Sequence, residues 1–70
     1  MLFRRRSTAE NRTVLVNLLS GNAVSGVCVR DGRDALVLRG ATVHTADAEP
    51  APADGEIVID RINVDFLQLL

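Results

Sequence analysis

The chain has no lysine, no tryptophan and no tyrosine, and holds one cysteine, one histidine and two prolines in 70 residues. A single cysteine, Cys28, excludes a disulfide within the chain. With His44 as the sole imidazole, a closed four-ligand zinc site would need carboxylates at unusual spacing. Phe3 and Phe66 are the only side chains that offer an aromatic face to a nucleic-acid base. No apolar run exceeds four residues, whereas a membrane span needs about 20, so no membrane partner is expected. There is no glycine-rich phosphate loop and no Ser/His/Asp set, so the chain is not expected to be an enzyme or to carry a cofactor. Met1-Leu2-Phe3 precedes Arg4-Arg5-Arg6, and no apolar run follows these basic residues, so the segment does not read as a secretion signal.

What is present is apolar and β-rich. Hydrophobic residues make up 47% and charged residues 24%, a globular balance. The net charge of −1 conceals an asymmetry: residues 1–40 sum to +4 and residues 41–70 to −5. Such a chain can attract copies of itself or sit between partners of different charge. All eight basic residues are arginine, which suits fixed bidentate contacts and is also what GC-rich coding yields.

Residues 1–7 read as a basic arm and residues 8–70 as one small domain. Ser7 and Glu10 have capping-box spacing, which predicts a short helical turn over 8–12. Five strands follow, at 13–19, about 23–30, 35–44, 56–60 and 63–69. Turns are expected at Ser20-Gly21-Asn22 and Asp31-Gly32-Arg33, a tight junction at Arg61-Ile62, and an exposed loop at 45–55. Gly26 and Gly40 lie inside strands and mark bends. The expected fold is mainly β, a small, strongly bent five-stranded barrel of the SH3-like or Sm-like kind.

The strands carry apolar residues on both faces, more than one barrel interior can hide. Leu15, Val27, Val29, Val37, Val64 and Phe66 are therefore expected in contacts between copies. Below roughly 70–80 residues a single core rarely supplies more than about 3–5 kcal/mol, so a partner subunit is the expected support. In the arm, Leu2 and Phe3 beside Arg4, Arg5 and Arg6 fit a protein groove with a charged rim, and are expected to dock on a larger assembly. Cys28 reads as a small buried residue and His44 as a polar strand end, while Asp60 and Asp65 read as charges that guard a strand edge.

Leu18, Gly21, Val24, Gly26 and Cys28 hold the spacings of the first motif of the Sm-like (LSm) family, which this chain resembles over about residues 8–69. Asp31 and Leu38 sit near that motif's later acidic and apolar positions. Ile59-Asp60-Arg61-Ile62-Asn63-Val64-Asp65-Phe66-Leu67 is similar to the family's second motif, with Asp60 in place of its arginine and Arg61 in place of its glycine. The resemblance implies an N-terminal helix, a bent five-stranded barrel and assembly into rings. It also implies an RNA-binding pocket, in which Arg61 is the candidate contact. Asp34 or Ala35 stands near the family's pocket asparagine, and a carboxylate at Asp60 repels phosphate. Small, lysine-free chains rich in Ala, Val and Arg also look like accessory virion proteins of phages. The reading that follows is a non-enzymatic assembly subunit of a virion, either a minor capsid (decoration) or a connector protein. The alternative is a cytoplasmic Sm-like RNA-binding ring.

Overall fold

The protein was analysed as a computed structural model that describes residues 9–70. Residues 1–7, expected as an arm, and Thr8 lie outside the described residues. Five strands build one antiparallel sheet: β1 (Thr13–Leu18), β2 (Ala23–Asp31), β3 (Ala35–His44), β4 (Ala51–Asp60) and β5 (Val64–Leu69). Their order is β4-β3-β2-β1-β5, so β4 and β5 are the two edge strands.

Among the described residues no second layer of helices or sheet lies over this sheet, yet Val14, Val16, Cys28, Leu36 and Leu38 are fully buried. A flat sheet would leave one of its faces in water. This one must curl on itself, in the manner of a small barrel, for the inward residues of each strand to meet. Period-two alternation sorts the faces. Inward are Val14, Val16, Val24, Cys28, Leu36, Leu38, Ala41 and Ile59, with Leu18, Ile57, Val64 and Leu67 packed against them.

The curl is concentrated where the ladders slip. Between β2 and β3 the register shifts at Ser25/Val27, and between β3 and β4 at Arg39/Ala41. Gly26, Gly40 and Gly55 stand at these slips and form a fold line across three adjacent strands. Gly26 is forced by close approach, because a Cβ there would lie 3.1 Å from the Ala41 Cα and 3.1 Å from the Arg39 carbonyl oxygen. Gly40 is forced by conformation, since its φ of 61° is one that side-chain-bearing residues disfavour.

Two expectations need correction. The helical turn over 8–12 is not formed across its described part. Residues 9–12 make a turn in which Arg12 N–H donates to the Ala9 carbonyl (3.0 Å). Asn11 has φ 64°, outside the right-handed helix, and its N–H donates to the Cys28 carbonyl (2.6 Å). That bond extends the β1–β2 ladder, and it outweighs a capping signal too short to hold a helix alone. The loop expected at 45–55 is also shorter, because β4 begins at Ala51. Pro52 pairs with Thr42 inside β4, and an edge strand tolerates proline because one side of it needs no donor. A single 3-10 turn, Arg61–Asn63, links β4 to β5.

Candidate functional site

The outward face of the sheet carries a second apolar surface. Val27 pairs with Thr13 and Arg39, Val37 with Arg30 and Val58, and Phe66 with Asn17, which sets these side chains on the side away from the core. Val58 is 64% exposed, Phe66 53% and Val27 40%. Val29, the extra residue where β2 slips against β3, joins Arg30, Val37 and Glu56 around a shallow cleft of about 300 Å³. Arg39 crosses from β3 to β4 and pairs with Glu56 at 2.7 Å, with both side chains at least half exposed. Of the residues expected between copies, Val27 and Phe66 are exposed, and Leu15, Val29 and Val37 are half-buried on the outer face. Val64 is different: it packs against the core, because a register slip at Asn17/Leu18 breaks the alternation of β5.

The edges add backbone to this apolar surface. β4 and β5 each pair on one side only within the sheet. Leu19, Ile62, Phe66, Leu69 and Leu70, on or near the β5 edge, are all exposed. An edge strand with free amides and exposed apolar side chains is a template for another strand.

A polar corner lies at one end of the sheet, where the β2–β3 turn meets the 3-10 turn. The Arg61 guanidinium pairs with the Asp31 carboxylate, and its Nε donates to the Gly32 carbonyl (3.3 Å). The Arg61 backbone N–H donates to the Asp34 carbonyl (2.8 Å). Arg61 therefore braces two loops, and its side chain is 28% exposed. The sequence marked Arg61 as a nucleic-acid contact; the nonlocal partner Asp31, 30 positions away, is what spacing did not reveal.

The remaining candidates are dispersed. Ser25 Oγ and His44 Nε2 lie 3.0 Å apart on the outer face, without a carboxylate to complete a nucleophile's relay. Burial raises the Cys28 thiol above its ordinary pKa, and the Asp31 carboxylate adds to the rise. Asp60 and Asp65 are exposed, and among the described residues no group of three His, Cys, Asp or Glu side chains is placed to hold a metal. Nor is any helix among them long and apolar enough to cross a membrane.

No protein-family model matches the chain. No curated protein matches it either. Among solved structures 15 chains match. One, from the crystal structure of the NatC complex bound to CoA, superposes with a TM-score of 0.79 at 17% identity, covering 100% of this chain and 90% of that one. At that identity the likeness shows the fold: a small, mainly β, five-stranded barrel-like domain.

Proposed function

We propose that the protein is a non-enzymatic assembly subunit that associates with copies of itself, and with a larger protein assembly, through the open edges of its sheet. The observation that carries this reading is the pair of unlike edges, β4 with Val58 exposed and β5 with Phe66 exposed, at opposite ends of a single five-stranded sheet. If β4 of one copy adds to β5 of the next, the ladder continues. Ile57 and Ile59 of the first copy then align with Val64 and Leu67 of the second, which joins the two cores. Such a contact is head-to-tail, and it closes into a ring or runs on as a filament according to its rotation.

Within this reading, a place in a virion as a decoration or connector protein rests on composition, with the lysine-free, Ala/Val/Arg-rich sequence as its support. The RNA-ring alternative is weakened by Arg61, whose guanidinium is held by Asp31.

Sedimentation of the full chain across micromolar concentrations tests the proposal. The expected result is a species several times the 7.6 kDa protomer. A protomer that stays monomeric throughout would overturn it. Tight, salt-sensitive binding of U- or A-rich oligonucleotides, lost on Arg61→Ala, would instead favour the RNA reading.

A further inference from the structure

Two aspartates precede a glycine in this chain, in Asp31-Gly32 and Asp54-Gly55. In such a pair the glycine nitrogen can reach the carboxyl carbon of the aspartate side chain, because no Cβ crowds its approach. The fold treats the two pairs in opposite ways.

Asp31-Gly32 is guarded at both reacting groups. The Asp31 carboxylate pairs with the Arg61 guanidinium, and its side chain is 12% exposed. The Gly32 N–H donates to the Ala35 carbonyl at 2.9 Å, across the β2–β3 turn. Asp54-Gly55 lies where the β3–β4 ladder slips. Ala53 faces Ala41 and Glu56 faces Arg39, so Asp54 and Gly55 together stand against the single residue Gly40. Both are exposed, in a strand at the sheet edge. Among the described residues no hydrogen bond or ion pair holds the Asp54 carboxylate. Nothing lies within 4 Å of where a Gly55 Cβ would stand, which leaves space beside the backbone for a ring.

We propose that Asp54-Gly55 is a site of spontaneous succinimide and isoaspartate formation, and that Asp31-Gly32 is a protected copy of the same dipeptide. The Gly55 nitrogen bonds to the Asp54 Cγ, the Cγ–OH bond breaks, and water leaves with the amide proton. Water then adds to the ring. If the bond from the nitrogen to the Asp54 backbone carbonyl carbon breaks, the main chain runs through the side-chain carbonyl and a free α-carboxylate remains, which is isoaspartate. If the bond to Cγ breaks, aspartate returns. Isoaspartate lengthens the main chain by one carbon, at the point where β4 already carries one residue more than β3. The proposed contact between copies joins cores at Ile57 and Ile59, and this chemistry does not depend on it.

The test incubates the full chain at neutral pH and physiological temperature and then cleaves it after arginine. That places Asp31 in the peptide 31–33 and Asp54 in the peptide 40–61. Chromatography against synthetic aspartate and isoaspartate peptides measures each site. Isoaspartate should accumulate at Asp54 at least about tenfold faster than at Asp31, which must first give up a charge-assisted pair and an amide hydrogen bond. In denaturant the guard is gone, and the two rates should converge. Asp54→Glu keeps the charge on an exposed side chain but requires a larger ring, and should remove the product at this position. Equal rates in the native protein, a ratio unchanged by denaturant, or no isoaspartate at Asp54 above that at Asp47, which precedes Ala48, would each overturn the proposal. Self-association is read separately by sedimentation, so the failure of one proposal is distinguishable from the failure of the other.

Discussion

Arg61 holds its corner with three bonds: a charge-assisted one to Asp31, one from Nε to the Gly32 carbonyl, and one from its own backbone N–H to the Asp34 carbonyl. The first two vanish in Arg61→Ala. Asp31 is only 12% exposed, so its carboxylate would lose a partner that water replaces poorly. Because the arginine is itself partly in solvent, the expected loss is about 1–2 kcal/mol, read as a lower urea midpoint. An unchanged midpoint would show that the brace contributes nothing. Cys28 gives a second test at this scale. Its Sγ–H donates to the Arg30 carbonyl (3.3 Å), and burial, then the Asp31 charge, disfavours the thiolate. Alkylation of native protein at neutral pH should be at least about tenfold slower than in denaturant. A thiol whose folded pKa is raised keeps its full contribution to stability below the ordinary value of 9.0, and loses it as the unfolded form ionises above that pH. The unfolding midpoint should therefore fall as pH rises past 9.0, and less so in Cys28→Ala.

Among the elements, the glycine fold line separates two kinds of constraint. At Gly26 a side chain meets backbone, Ala41 Cα and Arg39 O, both 3.1 Å from the new Cβ. At Gly40 a side chain meets nothing within 4 Å, and only the φ of 61° resists it. Gly40→Ala should thus cost about 1 kcal/mol, and Gly26→Val, which crowds two strands, about 3 kcal/mol. In a domain this small, about 1 kcal/mol moves the melting temperature by roughly 4–8 °C. A Gly26→Val protein melting within about 2 °C of the parent would remove the bend from the account of the fold. Both glycines were legible in the sequence because each interrupts an apolar alternation. Gly55 was not, because Pro50, Pro52 and the acidic residues around it have loop chemistry, and only the position of β4 at a sheet edge makes that chemistry compatible with a strand. Across the described residues 9–12 the expected helical turn is replaced for a related reason. Ser7 to Glu10 is a local signal, and the Asn11-to-Cys28 bond that displaces it joins residues 17 positions apart.

For the whole molecule, the surplus of apolar strand surface was legible from alternation alone, and Val27 and Phe66 are exposed on the outer face as that pattern expects. The edges were not legible, because strand order is set by nonlocal pairing, and it is the order β4-β3-β2-β1-β5 that puts β4 and β5 at the two ends. That asymmetry yields a test of how copies join. In a head-to-tail contact each copy offers β4 to one neighbour and β5 to the other. Val58→Asp adds a carboxylate between Glu56 and Asp60 and spoils the first surface; Phe66→Asp, next to Asp65, spoils the second. Each variant alone should sediment as a monomer. Mixed in equal amounts, they should form a species of two chains and no larger, because the intact β5 of the first variant can still meet the intact β4 of the second, and the two spoiled edges then cap the pair. A two-fold symmetric contact predicts otherwise. If β4 met β4, Phe66→Asp alone would remain a dimer, and mixing would add nothing. Larger species in either single variant would place the contact elsewhere on the molecule.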